Sequence, residues 1–356
     1  MKINFAELNL KELTHIITEE LSEKKFRAGQ IFKWIHKCGV FEFDKMSDIP
    51  KKLRDELSGK YELSLPEIIE KSISEDKMTE KFAYSLKDGE IIEAVKIYDD
   101  ETLGKYTVCV STQVGCPIKC AFCQTGKMGF VRNLKTSEII GQVLKIAAES
   151  ETGFENLSNV VYMGMGEPLL NYDNVIKSIR LINAEDGLNI SMRKITVSTS
   201  GVIPGIAKLA NEKIPVTLAI SLHAPFDSLR AKLVPLNKKY NIEKVIKAAA
   251  DYIKITSRRV TFEYVMLKDY NDSLEHAKKL AELLRGLICH VNLIPLNQSD
   301  IDGNFAPSLN KKIIEFRDYL TDKNINATIR RSKGLDINAA CGMLYKKIKS
   351  GDSQSL

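Results

Sequence analysis

Apolar residues in the first part of the chain recur at three- to four-residue spacing: Ile16, Ile17 and Leu21, then Ile31, Phe32, Trp34 and Ile35. That period belongs to amphipathic helices, and the turn residues Gly39 and Pro50 punctuate it. The spacing predicts a small helical module over residues 1–60. Residues 61–101 change to a β-leaning connector. Lys81-Phe82-Ala83-Tyr84-Ser85-Leu86, a Lys87-Asp88-Gly89 turn and Ile91-Ile92-Glu93-Ala94-Val95 predict a hairpin there. Over 102–335 short apolar runs alternate with amphipathic helical stretches. The runs are Thr107–Ser111, Val160–Gly164, Lys194–Ser200, Val216–Leu222, Val260–Leu267 and Val291–Leu296. Alternation of this kind predicts an α/β fold with a parallel sheet buried by helices. Because the motifs described below fall at C-terminal strand ends, where barrel sites are built, the expected form is a partial (β/α)6 TIM-like barrel. Residues 336–356 remain as a C-terminal segment, with a polar run over 349–355 expected to fray.

Composition narrows the class. The chain is 44% hydrophobic and 28% charged, enough apolar content for a large core. No apolar run approaches the roughly 18 residues that span a bilayer, and the start Met1-Lys2-Ile3-Asn4-Phe5 lacks the apolar region of a signal peptide. Seven cysteines in such a chain argue against a disulfide framework and for the cytoplasm. The net charge, 52 basic minus 46 acidic residues or +6, permits a polyanionic partner without requiring one. Basic residues do gather in the helical module: Lys24, Lys25, Arg27, Lys33, His36, Lys37, Lys45, Lys51, Lys52 and Arg54. They form either a phosphate-backbone surface or the solvated face of ordinary helices.

The strongest chemical signal is Gly115-Cys116-Pro117-Ile118-Lys119-Cys120-Ala121-Phe122-Cys123, a C-x3-C-x2-C run on one loop. Three thiolates can hold three irons of a [4Fe-4S] cluster, whose usual complement is four. The remaining iron is then open to a ligand, as an open position is in catalytic metal sites. Structural zinc is the competing reading, but zinc takes four ligands from paired knuckles. No second C-x2-C or H-x3-H exists, and the histidines are scattered at 15, 36, 223, 276 and 290. One β/α unit later stands Met163-Gly164-Met165-Gly166-Glu167-Pro168, with glycines that admit a close ligand and a carboxylate beside them. Ser198, Ser221-Leu222-His223 and Asn297 occupy the ends of later strands. Each alone would be an ordinary cap or turn residue.

The cysteine spacing resembles that of the radical S-adenosylmethionine (SAM) superfamily, and Gly166-Glu167 resembles its element for the SAM amino group. Further stretches resemble the RlmN/Cfr family of RNA adenine methyltransferases: Gly115 to Phe130, Met163 to Asn171, Ser221-Leu222-His223-Ala224-Pro225, Val234-Pro235-Leu236-Asn237 and Asp336-Ile337-Asn338-Ala339-Ala340-Cys341-Gly342. Phe26-Arg27-Ala28-Gly29-Gln30-Ile31-Phe32 resembles the family's N-terminal domain, so the likeness spans nearly the whole chain. Pro168, where Cfr proteins carry Ala, favours the RlmN branch, which methylates adenine C2 in 23S rRNA and tRNA, over the C8 chemistry of Cfr.

The resemblance implies a cluster on Cys116, Cys120 and Cys123, and SAM contacts from Gly166, Glu167, Ser198, Ser221, Leu222, His223 and Asn297. It also implies that Cys341 accepts a methyl group from one SAM and that a radical made from a second SAM activates that group for addition to C2. Cys109 would resolve the RNA–protein adduct by leaving a disulfide with Cys341, and Glu93 would accept the C2 proton, although Ala94 stands where the family has Thr. Cys38 and Cys289 have no motif around them. Implied partners are 23S rRNA, tRNA and an electron donor such as flavodoxin or ferredoxin, acting on a monomer. A radical SAM enzyme with a non-RNA substrate and a non-catalytic RNA-binding protein are the other classes open at this point.

Overall fold

The computed structural model describes residues 2–99, 104–151, 153–297, 305–330 and 333–344; the polar run over 349–355 lies outside them. Three helices come first, α1 (Leu10–His15), α2 (Phe26–His36) and α3 (Lys51–Lys60). Three strands follow, β1 (Glu67–Ile73), β2 (Thr79–Ser85) and β3 (Ile91–Tyr98), then β4 (Tyr106–Cys109). The cysteine loop is framed by β5 (Gln113–Gly115), a one-turn α4 (Gln124–Lys127) and β6 (Phe130–Asn133). Helix and strand then alternate: α5 (Thr136–Glu149), β7 (Leu157–Tyr162), α6 (Tyr172–Asn183), β8 (Ile195–Thr199), α7 (Ile203–Glu212), β9 (Thr217–Ser221), α8 (Asp227–Leu233), α9 (Ile242–Thr256), β10 (Val260–Met266), α10 (Leu274–Leu284), β11 (Cys289–Pro295), α11 (Asn310–Asp322) and β12 (Asn326–Ile329).

Ten strands form one sheet in the order β1-β2-β3-β4-β7-β8-β9-β10-β11-β12. The first four pair antiparallel. From β4 to β12 every pairing is parallel. The connector hairpin is β2–β3, and all six core strands expected from the sequence are present. Strand β12 adds a seventh parallel strand that the sequence did not announce: Asn326-Ala327-Thr328-Ile329 is short and half exposed, without a buried strand's apolar run. Among the described residues β1 and β12 do not pair, yet Ile97 of β3 and Ile294 of β11 line the same cavity. The sheet is therefore curled but open, a partial barrel. Side chains alternate across it, and the register sets Ser221, Glu263, Asn292 and Thr328 in a row over β9–β12.

In the helical module the apolar stripe is buried as its spacing implied: Ile17, Ile31 and Ile35 have no exposed surface. The Arg27, Gln30 and Trp34 side chains all turn onto the Asp48 segment. Arg27 donates to the Asp48 carbonyl at 2.9 Å, Gln30 to its Oδ2 at 2.8 Å and Trp34 to its Oδ1 at 2.5 Å. This motif thus has a folding role, closing the α2–α3 connection. Two members of the basic cluster are withdrawn from it: the half-buried Arg27 is spent on Asp48, and His36 is fully buried against Phe32, ring centroids 4.4 Å apart. Neither His36 ring nitrogen has a hydrogen-bond partner, and burial pushes its pKa down to about 3. A neutral, buried imidazole is no phosphate contact.

Arg230 is the largest fully buried side chain. Its guanidinium donates to the carbonyls of Leu222 at 3.0 Å, Ser221 at 3.1 Å and Ser200 at 2.8 Å, and to Asn237 Oδ1 at 3.0 Å. It ties the ends of β8 and β9 together beside the Val234–Asn237 turn, and Asn237 in turn donates to Asp227 Oδ1 at 2.8 Å.

Two outcomes follow for stability. Arg230→Met strands three strand-end carbonyls in a dry interior and costs about 3 kcal/mol or more in urea unfolding; a loss below about 1 kcal/mol contradicts this role. For His36 the folded pKa is depressed, so between pH 6.5 and about 3 the unfolded chain binds a proton that the folded one refuses. Stability therefore falls as pH falls through that window, by about 2 kcal/mol at pH 5. His36→Phe removes this slope; an unchanged difference between pH 7.5 and pH 5 contradicts it.

Candidate active site

The cysteine loop owes its shape to one close backbone approach. Gly115 has φ +71°, and a Cβ there would lie 1.9 Å from the Gly129 carbonyl oxygen. Only glycine fits, and the approach lets the Cys116 amide donate to that oxygen at 2.7 Å. Farther on, the Ala121 amide bonds the Leu233 carbonyl at 2.9 Å and the Cys123 amide bonds the Cys120 carbonyl at 3.1 Å. Cys116, Cys120 and Cys123 all line one cleft. Burial pushes the three thiols up, Cys116 to about 12, with smaller contributions from the neighbouring thiols and Glu167 at Cys116 and Cys120, while hydrogen bonds from Gly126 and Thr125 pull Cys123 the other way.

These thiols fit a cluster better than a single ion. Among the described residues, no three His, Cys, Asp or Glu side chains are gathered closely enough to hold a metal ion. Tetrahedral zinc needs its sulfur ligands about 2.3 Å from one centre. Cysteines spread around one cavity wall suit a larger iron–sulfur body, whose charge also reverses the cost of ionising buried thiols.

The opposite wall is built by the second motif. A Cβ on Gly164 would lie 2.7 Å from the Val110 carbonyl, and one on Gly166, at φ +105°, 2.6 Å from Gln113 Cβ. These contacts press the loop onto the end of β4. The Glu167 amide donates to Gln113 Oε1 at 2.8 Å. Its carboxylate accepts from the Ser200 amide at 2.7 Å and the Leu169 amide at 3.2 Å, while burial raises its pKa. Gly166, Glu167, Ser198, Ser221, His223 and Asn297 share the cleft with the cysteines. Ser198 donates to the Tyr162 carbonyl at 2.7 Å. His223, at φ +60°, sits edge-on to Phe122 with centroids 4.8 Å apart and accepts the Val265 amide on Nδ1 at 3.1 Å. Burial, then Arg230, lowers its pKa to about 3, so the ring is neutral and Nε2 carries the hydrogen.

Cys341 reaches this cleft because the C-terminal segment is sewn to the cysteine loop. The Gln124 amide donates to the Gly342 carbonyl at 2.8 Å, and Thr125 Oγ1 to the Leu344 carbonyl at 2.8 Å. From just past β11, Asn297 Nδ2 donates to the Cys341 carbonyl at 3.2 Å. Cys341 borders a second cavity as well, and Cys109 lies on the wall of that one, beside Arg330 and Lys333. Both are free thiols. Burial pushes Cys109 up to about 12, with Cys341 adding to the shift. The Cys341 residue is partly open to solvent, but its sulfur stands where lost hydration raises its pKa, with Arg330 pulling the other way.

Two expected residues stand off the cavity walls. Leu222 is buried and contributes its carbonyl to Arg230. Glu93 is buried behind the Gly164–Gly166 loop, where its carboxylate pairs with Lys81 at 3.2 Å and its amide meets Met165 Sδ at 3.3 Å. Other wall residues had not been singled out: Phe122, Ser200, Glu263 and Arg330. A lone carboxylate inside the buried run Val260–Met266 was a readable sign for Glu263, whereas Arg330 follows the unannounced β12.

Comparison with known proteins agrees with this geometry. The radical SAM superfamily profile matches residues 110–284, and the profile of the ribosomal RNA large subunit methyltransferase N-terminal domain matches residues 3–63. A probable dual-specificity RNA methyltransferase RlmN from Clostridium tetani is 46% identical, over 99% of this chain and 99% of its own. One of the same description from Thermotoga maritima is also 46% identical, over 98% of this chain and 99% of its own. The crystal structure of a radical SAM methyltransferase from Sphaerobacter thermophilus superposes with a TM-score of 0.91 at 42% identity, covering 96% of this chain and 99% of that one. Full-length similarity at this level, on a chain whose cysteine loop shares a cleft with Gly166, Glu167 and Ser198, places it plainly: the chain belongs to the RlmN family of the radical SAM superfamily and is a radical SAM methyltransferase that uses a [4Fe-4S] cluster and SAM.

Proposed function

We propose that the chain methylates carbon 2 of adenosine in RNA, both 23S rRNA and tRNA, through a methylated Cys341, with a flavodoxin or ferredoxin as electron source. The observation that carries this reading is Cys341 on the wall shared by two cavities, one holding the cysteine loop and the other Cys109. Cys116, Cys120 and Cys123 hold the cluster, which when bound supplies the electron that cleaves SAM to a 5′-deoxyadenosyl radical. Gly166, Glu167, Ser198, Ser221, His223 and Asn297 bind SAM, Leu222 helping through its backbone.

Adenine C2 is an electron-poor amidine carbon and no nucleophile toward a methyl sulfonium, so the methyl group needs a protein carrier. Cys341 is that carrier. Lost hydration raises the pKa of its thiol, and Arg330, joined by the positive charge of a bound sulfonium, favours the thiolate that attacks the methyl carbon. The 5′-deoxyadenosyl radical takes a hydrogen atom from the S-methyl group, and the carbon-centred radical so formed adds to C2; the adduct would return its unpaired electron to the cluster and give up the C2 proton to a base, and the Cys109 thiolate then attacks the Cys341 sulfur. The S–S bond forms as the S–CH2 bond breaks, and the released electron pair is protonated on carbon to complete the methyl group. Exposed Lys24, Lys25, Lys33, Lys37, Lys45, Lys51 and Lys52 of the helical module supply RNA backbone contacts. Pro168 favours C2 over C8 as the target.

Two sets of variants test the roles. Cys341→Ala has no thiolate to methylate and neither takes label from methyl-labelled SAM nor crosslinks to RNA. Cys109→Ala keeps the carrier but cannot release it, and accumulates a covalent RNA adduct on denaturing gels; full turnover without adduct contradicts the assignment. Gly115→Ala leaves every ligand in place but sets a Cβ against the Gly129 carbonyl. Anaerobically reconstituted Gly115→Ala protein therefore loses most of the iron and the cluster absorption, as Cys116→Ala does; full iron content contradicts the loop argument.

A further inference from the structure

The β5–β6 hairpin stands apart from the ten-stranded sheet and carries apolar surface that the fold leaves uncovered. Its register skips one residue: Val114 pairs with Arg132 and Gly115 with Phe130, so Val131 is an extra residue in β6. A bulge of this kind breaks the alternation of sides along a strand. Two consecutive apolar side chains therefore face solvent, Phe130 at 46% and Val131 at 56% exposure. Leu170, 43% exposed, adjoins the hairpin, since Asn133 Nδ2 donates to its carbonyl at 3.4 Å. Scattered single residues of this sort are ordinary on a protein surface, but apolar residues gathered at one spot mark a contact.

The place of the patch identifies what it meets. At its start β6 is tied to the cysteine loop, where the Cys116 amide donates to the Gly129 carbonyl at 2.7 Å. At and beyond its other end Arg132, Asn133 and Lys135 line a cavity together with Lys2, Asn4 and Glu7 of the helical module. The hairpin thus bridges the module and the rim of the cleft, and an RNA held by both passes over it. Exposed Lys127 and Lys135 flank Phe130 and Val131, while Asp88 and Glu138 are paired with Arg132 and Glu62 with Lys87. Adenine C2 lies within the base stack, so the adenosine must leave the stack to reach Cys341. Its neighbour then lacks a stacking partner, and RNA-binding proteins meet such bases with aromatic side chains set among cations. We propose that the β5–β6 hairpin is an RNA contact surface on which Phe130 stacks the base next to the methylated adenosine, with Val131 and Leu170 widening the platform. The proposal rests on the reading of RNA as the methyl acceptor.

Binding without turnover tests it. Anaerobic holoenzyme, with no reductant, is titrated by fluorescence anisotropy with an RNA stem-loop carrying the target adenosine in its loop, and with two versions abasic on the 5′ or the 3′ side of that adenosine. Phe130→Ala weakens binding of the intact RNA by about tenfold, the worth of one stacked base. On one of the abasic RNAs the same change costs about twofold or less, because the partner is already gone. Phe130→Tyr keeps the ring and binds as wild type does. In wild type, 4-thiouridine placed on that side of the adenosine photo-crosslinks to the tryptic peptide Met128–Arg132, a result that does not depend on any variant folding. An equal loss on all three RNAs, no loss on the intact one, or crosslinks confined to other peptides overturns the proposal. So does Val131→Lys protein that binds RNA normally but is reduced slowly by reduced flavodoxin, which gives the patch to the electron donor. Wild type that binds no form of the stem-loop contradicts the RNA reading itself, and is distinct from wild type that binds all three forms alike.

Discussion

The sheet is an open barrel, and its seam is closed by a segment of chain instead of by strand pairing. Residues 333–344 bond to both sides of the gap. Lys333 Nζ donates to the Tyr98 carbonyl at the end of β3 at 2.7 Å, and Asp336 accepts the Glu75 amide from the β1–β2 turn at 2.8 Å. Gln124 and Thr125 hold the same segment from the cysteine loop, and Asn297 holds it from just past β11. A closure made this way places Cys341 where a strand could not, between the cysteine loop and Cys109. It also explains why a segment with little regular structure is well enough tied down to carry a nucleophile: its backbone carbonyls are met by partners on α4 and just past β11, and its Lys333 and Asp336 side chains bond to the β1–β3 side.

The cleft behind that seam combines a dry wall with sparse, fixed polar groups. Arg230 meets strand-end carbonyls, the neutral His223 accepts a backbone amide, and Glu167 is clamped by two more. All are held by backbone, so they do not depend on a ligand for position. The same dryness keeps the thiols protonated until positive charge enters, since burial is the leading cause of every cysteine shift in the cleft. Reactivity is thereby coupled to occupancy, and a free thiolate is avoided where oxidation would be harmful.

Much of this was legible in the sequence, for identifiable reasons. The alternation of apolar runs and helical stretches located the six main core strands because each run is long enough to show its period. The cysteine loop and the Gly166-Glu167 element were legible because spacing and residue type are the chemistry itself. Strand β12 was not, since four polar-leaning residues carry no period, and its loss hid Arg330. His36 and Arg27 counted as surface charge in the sequence, but tertiary packing buried the first and Asp48 captured the second. Glu93 and Leu222 show the limit of motif transfer: neighbours in a motif alternate in direction, and only some reach the cavity.

The central claim is the product, and nucleoside mass spectrometry of rRNA and tRNA from cells with and without the gene reads it directly. The account requires 2-methyladenosine in the RNA of cells that carry the gene and its loss from those that lack it, with no change in 8-methyladenosine. RNA methylated chiefly at C8, or 2-methyladenosine that persists undiminished without the gene, contradicts it.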